Sequence, residues 1–444
     1  MTTPICDFLT AYREKNATRL HMPGHKGQGP LGVEAYDLTE VAGADALYRA
    51  QGIIRESEEN AARLFGTAKT LYSTEGSSLC IRAMLKLVHA YATARGTRPH
   101  LVAARGAHST LVSALGLLDI AVTWLSPACR TPLSCPITEE LLASCLDAME
   151  EPPTAVYVTS PDYTGNLLPI DALARVCHAR GVLLLVDNAH GAYLRFLARD
   201  RHPISLGADL ACDSAHKTLP CLTGTAYLHL SKAAPPEFLD LAEDAMALFA
   251  STSPSYLLLA SLDGVNPRLE EEFPRALRAF EGSMAEARRR LSDRGISLLG
   301  EEPLKLTVDA AALGYTGTEL AARLEEAGFV PEMADPTLVV LMFSPWQQAA
   351  LTQVVDLLLE LPRRAAPAPM PPAACAPSPV MSVREALLSP KERLPLDECV
   401  GRVLAQPTLT CPPAVPPIVS GERVTEALLP LLSFYGYTHL WVVK

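Results

Sequence analysis

The chain has 444 residues, nearly half of them apolar and a fifth charged, with a formal net charge of −11. That length exceeds what one hydrophobic core organises, so two or three soluble globular domains are expected, and the acidic balance disfavours a nucleic-acid partner while mildly favouring a cationic small molecule. No apolar run reaches membrane-helix length, the charged start "MTTPICDFLTAYREK" is no secretory leader, and eleven scattered cysteines make neither a CxxC pair nor a Cys/His cluster; a cytoplasmic protein with no disulfide framework and no metal site is expected.

In chain order, an N-terminal segment (1–70) leads into seven apolar runs of strand length: "KTLYST" (69–74), "HLVAA" (100–104), "AVTWLS" (121–126), "TAVYVTS" (154–160), "GVLLLVD" (181–187), "ADLACDS" (208–214) and "TAYLHL" (225–230). Helical patterns separate several of them, such as "SLCIRAMLKLVHAYATARG" and "PIDALARVCHARG". Continuous rather than alternating hydrophobicity predicts strands covered on both faces, hence a mostly parallel sheet in an α/β domain over 71–263. Residues 264–364 read as a smaller α+β domain: a charged helix "RLEEEFPRALRAFEGSMAEARRRLSDRG", strands "PLKLTVD" and "TLVVLMF", and a helix "GTELAARLEEAG" between them. Six prolines among the fifteen residues 365–379 predict an extended linker. A third, C-terminal domain follows over 380–444.

Ligands of open parallel sheets bind beyond the carboxyl ends of the strands. Polar residues gather at such ends here: Gly76, Ser77 and Ser78, then His108, then Asp187 and His190, then Ser214, His216 and Lys217. Serines, histidines, one carboxylate and one lysine at one edge suit pyridoxal phosphate. That cofactor needs an amine for its aldehyde, a carboxylate for its pyridinium nitrogen, a flat group over its ring and donors for its phosphate. "GSS" at a helix start can hold an anion with free N–H groups and the helix dipole. Asp187 can keep the ring nitrogen protonated, His108 can stack on the ring, and a partly desolvated Lys217 would be a nucleophilic amine. Each residue also has a plain structural reading. Lys217 could be solvated surface, Asp187 a helix cap, His108 and His190 satisfied core histidines, and "GSS" an ordinary helix start.

Seven stretches in order, "LHMPGHKGQGP", "DLTEVAGADAL", "RGAHSTLVSALGLL", "TSPDYTGNLLPID", "VDNAHGAYLRF", "SAHKTLPCLTGTAYLHL" and "STSPSYLLLASLD", together resemble the Orn/Lys/Arg decarboxylase family of fold-type I pyridoxal-phosphate enzymes. The resemblance is dense from about residue 20 to 265, thinner through the small domain, and returns in "CPPAVPPIVSGERVT". It implies a three-layer α/β domain with a mostly parallel sheet, a smaller α+β domain and a small C-terminal domain. It also implies that Lys217 bonds the cofactor's aldehyde, that Asp187 pairs with the pyridinium, and that His108 stacks on the ring. Ser77, Ser78, Ser214 and His216 would hold the phosphate, and His190 would lie near the ring face or the carboxylate. The family usually has Glu and His where this chain has Asn188 and Tyr193, and a Pro-Gly-Ile-Pro and Pro-Gly-Glu pattern where it reads Ala414-Val415-Pro416 and Ser420-Gly421-Glu422.

The implied reaction is decarboxylation of a basic amino acid, arginine, lysine or ornithine, with a role in polyamine synthesis or acid resistance. The rival readings are another fold-type I activity, an aminotransferase or lyase, and a catalytically silent homologue; intact Lys217 and Asp187 speak against the last. A basic substrate carries a distal cation that wants a counter-charge. Glu422 is the candidate carboxylate, with capping of the following helix as its alternative role. The resemblance further implies a homodimer or a multiple of dimers. The short stretch before "PGHK" leaves no room for the wing domain of larger relatives, so their decamers are not expected.

Overall fold

The computed structural model describes residues 1–125, 133–364, 370–373, 377–409 and 414–444. Seven strands occupy the stretches read from hydrophobicity: β1 (Lys69–Ser73), β2 (His100–Ala104), β3 (Ala121–Leu125), β4 (Ala155–Thr159), β5 (Leu183–Asp187), β6 (Leu210–Asp213) and β7 (Ala226–Leu230). Ser126, the expected end of the third strand, lies outside the described residues, as do parts of the proline-rich stretch. The chain forms two compact units, each built from two segments: Met1–Arg95 with Leu183–Arg275, and Gly96–Val182 with Ala276–Lys444.

In the first unit the strands lie in the order β1-β7-β6-β5. β5 and β6 are parallel, with Asp187 opposite Cys212, while β7 runs antiparallel to both β6 and β1. The two reversals return β1 to the direction of β5 and β6. The carboxyl ends of these three strands therefore share one edge. β5, β6 and β7 are buried along their whole length, which is why their sequences show no polar alternation. Beyond β1, Gly76 takes φ +70°, a left-handed conformation open to glycine at no steric cost, and starts the helix Gly76–Ala94.

In the second unit β2 lies between β4 and β3, and all three are parallel. A separate antiparallel sheet has the order β10-β11-β9-β8, from β8 (Leu298–Leu299), β9 (Lys305–Asp309), β10 (Met333–Ala334) and β11 (Leu338–Met342). β12 (Lys391–Pro395) and β13 (His439–Val443) form an antiparallel pair. Beside it lies a core that includes Leu404, Ile418, Val424, Leu428, Leu440 and Val442. The architecture is thus α/β with mostly parallel strands, as expected.

One expected element differs. The charged helix foreseen from residue 268 is two helices, Tyr256–Glu270 and Glu272–Asp293, with Glu271 between them at φ −135°. Pro274 suits the break, because a residue without an N–H costs least in the first turn of a helix, although Pro267 is accommodated inside the helix before it. No helix among the described residues is long and apolar enough to cross a membrane.

Candidate functional site

The shared edge of the first unit brings together most of the residues singled out by sequence. Asp187 ends β5 and is buried, its Oδ1 accepting from Ala189 N at 3.2 Å. The neighbouring Cys212 Sγ lies 3.6 Å from the same oxygen, and burial pushes that thiol well above its usual range. Three residues past Asp187, the buried His190 places Nε2 3.0 Å from Lys217 Nζ. Lys217 stands on the short helix Ala215–Thr218 that follows β6. In the single chain this lysine is exposed, whereas partial desolvation was expected.

A second cluster lies on the same edge. Ser214 Oγ donates to Ser77 Oγ at 2.8 Å, joining the end of β6 to the first turn of the helix Gly76–Ala94. The Gly76 N–H is taken by Gly224 O at 2.7 Å, so one of the donors expected of "GSS" is already engaged within the chain. Ser78 occupies the same turn and is half-buried. His216 Nδ1 donates to Thr225 O at 2.8 Å, which fixes its ring to the loop before β7.

Behind these residues is a polar network that the sequence reading missed. The Asp213 carboxylate, fully buried, accepts from His202 Nε2 at 3.0 Å and His229 Nε2 at 3.2 Å through Oδ2, and from Asn188 Nδ2 at 2.7 Å through Oδ1. Burial alone would raise the Asp213 carboxyl, but the two facing imidazoles outweigh it and hold the group well below the usual carboxylate range. Burial in turn pushes His229 down, and each ring donates to Asp213 through its Nε2. The three possible ligand atoms lie within 4.8 Å of one another, close enough for a metal. Protons account for the geometry instead: Ile204 N donates to His202 Nδ1 at 3.3 Å, which leaves the ring proton on Nε2.

His108 and Glu422 belong to the second unit. His108 is the exposed N-cap of the helix Ser109–Leu118, where its Nδ1 accepts from Thr110 N at 3.2 Å. Glu422 has a different partner from either of those expected. Its carboxylate is buried and bound by both terminal nitrogens of Arg105, Nη1 to Oε1 at 2.5 Å and Nη2 to Oε2 at 2.6 Å, with Val419 N donating to Oε2 at 2.8 Å. Arg105 also donates to Pro416 O and Pro417 O. Both carboxylate oxygens are thereby engaged with a fixed charge, which leaves Glu422 neither a substrate counter-charge nor a helix cap. The next helical turn begins only at Glu426, after Thr425.

Comparison with known proteins gives this edge a context. The model of the Orn/Lys/Arg decarboxylase major domain matches residues 3–291, and that of the family's C-terminal domain matches residues 367–440. The chain belongs to the Orn/Lys/Arg decarboxylase family. An arginine decarboxylase of Bacillus subtilis is 28% identical over 460 residues, covering 96% of this chain and 91% of its own length. An arginine decarboxylase of Halalkalibacterium halodurans is 27% identical over 464 residues, covering 96% and 92%. Among solved structures, the Francisella novicida lysine decarboxylase LdcF superposes with a TM-score of 0.81 at 16% identity, covering all of this chain and 81% of that one.

The protein is accordingly a decarboxylase acting on basic amino acids, and its cofactor is pyridoxal phosphate. The residues on the edge fit that group. An amine, a buried carboxylate and a pair of linked hydroxyls at a helix start are the donor set its aldehyde, ring nitrogen and phosphate require.

Proposed function

We propose that this decarboxylase takes arginine as its substrate and works through Lys217, Asp187, His190 and the Ser77–Ser214 pair. The 3.0 Å approach of Lys217 Nζ to His190 Nε2, on the strand edge that also carries Asp187 and the two serines, is the observation that supports the site. The relatives named arginine decarboxylase, which match nearly the whole chain, favour arginine over lysine and ornithine. Pyridoxal phosphate, when bound, supplies the electron sink that accepts the pair released from the Cα–carboxylate bond.

The chain's own residues supply the rest. The Asp187 carboxylate, 2% exposed, would hold the cofactor's ring nitrogen and favour a proton on it, because opposite charges attract strongly where water is excluded. Ser77, Ser78, Ser214 and His216, with the N–H groups of the helix start, bind and orient the phosphate. Lys217 Nζ provides the amine for the aldehyde and can return a proton at Cα, and His190 Nε2 can hold that proton between steps. His108 keeps its proposed stacking role on the family resemblance. The same reading takes the working unit to be a homodimer or a multiple of dimers. In the N-terminal segment Leu20 is 90% exposed, Met22 70% and Leu31 78%, an apolar surface that a second subunit would cover.

Purified protein with pyridoxal phosphate, given each basic amino acid while carbon dioxide and amine are measured, should have its highest kcat/KM with arginine. Release of amine from lysine or ornithine at higher kcat/KM would remove the arginine assignment; no amine from any of the three would remove the site reading. Asp187→Ala should keep the protein folded and lower turnover at least about a hundredfold, the usual loss when a preorganised electrostatic partner is deleted. Near-normal turnover would place the electron sink elsewhere.

The proline-rich composition of 365–379 also makes that stretch the expected first point of limited proteolysis. The two pieces should remain together on a sizing column, since Arg384 donates to Gly116 O at 3.0 Å and Arg105 grips Glu422 across the cut. Earlier cleavage within 70–260 would contradict this division of the chain.

A further inference from the structure

The reaction as described makes no use of the carboxylate that ends β6. Asp213 is separated by three residues from Lys217 and by one hydrogen bond from the turn after β5. Its partner on that turn, Asn188, follows Asp187 directly and precedes His190 by two residues. Asn188 is itself wholly buried, and its amide fills the space beside Gly191: a Cβ added there would meet its Oδ1 at 1.9 Å, so the glycine makes room for the amide. On the far side the network is anchored in the sheet. His229 of β7 has Nδ1 2.9 Å from Thr70 Oγ1 of β1, and that hydroxyl lies 2.8 Å from Thr67 Oγ1.

The residue types fit one another. A carboxylate with two imidazole N–H donors on one oxygen needs a donor for its other oxygen, and an amide supplies it. Glu at position 188, the usual residue of the family this chain resembles, would set two buried carboxylates against each other. Asn188 and Asp213 are therefore a matched pair.

We propose that Asp213 is a positioning residue of the reaction, setting through Asn188 the turn Asp187–Gly191 and with it the approach of His190 to Lys217. This rests on the site reading given above. Deleting the match lets the turn shift, and displacement of reacting groups by about an ångström costs on the order of a hundredfold in rate.

The test compares the holoenzyme with Asn188→Asp, Asp213→Asn and the exchange Asn188→Asp/Asp213→Asn, reading kcat, KM and the visible circular dichroism band of the bound cofactor. Asn188→Asp sets two buried carboxylates against each other, whereas Asp213→Asn leaves two amides that pair again once Asn188 turns its oxygen toward the new donor. Asn188→Asp should lose about a hundredfold in kcat with KM changed less than about threefold and should weaken the dichroism band, and Asp213→Asn should lose less. The exchange restores one amide against one carboxylate, and Asn at 213 can still accept from both imidazoles; it should recover at least about tenfold in kcat and most of the band. An exchange no better than Asn188→Asp, or an Asn188→Asp variant that lowers the thermal midpoint while kcat and the band stay unchanged, would overturn the proposal. Should Asn188→Asp not fold, an exchange that folds and keeps at least about a tenth of the parent kcat supports the proposal, and one that does not overturns it. Borohydride fixation of the cofactor to the peptide containing Lys217, on the same preparations, reports the underlying site reading separately.

Discussion

Lys217→Ala is expected to abolish measurable decarboxylation, lowering turnover by about a thousandfold or more, while leaving the protein folded. The loss follows from two roles that fall on one atom. Nζ is the amine offered to the cofactor's aldehyde, and it lies 3.0 Å from His190 Nε2, within reach of a proton relay. A positioned proton donor alone contributes on the order of 10²–10⁴ in rate, and loss of the amine's covalent role adds to that. Stability should change little, since the side chain is exposed in the single chain and surface substitutions usually stay within about 0.5 kcal/mol. Borohydride reduction of the parent protein should fix the cofactor to the peptide carrying Lys217, and the variant should show no such label. A label on another lysine, or turnover within tenfold of the parent, would refute the assignment.

The strands that build this edge were readable because they are buried along all or nearly all of their length. β5 is buried at every position, and "LLLVD" announces that by carrying no polar residue until its last. The polar residues that end such runs were readable for the same reason. Asp187, Ser214 and Lys217 interrupt apolar sequence at points where a sheet opens to ligands. What escaped the sequence is whatever depends on pairing across long separations. β7 enters antiparallel between β1 and β6, an arrangement that no local period encodes. Strands of two residues, such as Leu298–Leu299, carry too few side chains to show a pattern at all.

Side chains inside the strands were the other loss. Asp213 and His229 sit in stretches recognised as strands, yet a buried carboxylate and a buried histidine were passed over because each looks like an exception by itself. Only their meeting, with His202 and Asn188, shows that each satisfies the others. Glu422 illustrates the same limit from the opposite side. A carboxylate near the C-terminal end suggested a counter-charge for a cationic substrate, and the chain already holds a cation for it 317 residues away in sequence.

Breaking that pair should have the largest effect on stability of any substitution considered. Arg105 and Glu422 are 4% and 1% exposed, and the guanidinium meets the carboxylate with two parallel hydrogen bonds, the geometry in which such pairs are strongest. Removing one partner leaves the other charge buried without compensation, which costs about 3–5 kcal/mol. Glu422→Gln keeps the shape and one hydrogen bond but deprives Arg105 of its charge partner, so a urea midpoint well below that of the parent protein is expected. Arg105→Met should destabilise comparably, as it strands the carboxylate and also the carbonyls of Pro416 and Pro417. The double variant Arg105→Met/Glu422→Leu removes both charges together and should lose less than the sum of the two single losses, the signature of direct coupling. If instead Glu422→Gln leaves the midpoint unchanged and raises KM for the basic amino acid strongly, the carboxylate serves the substrate and its tie to Arg105 contributes nothing to folding.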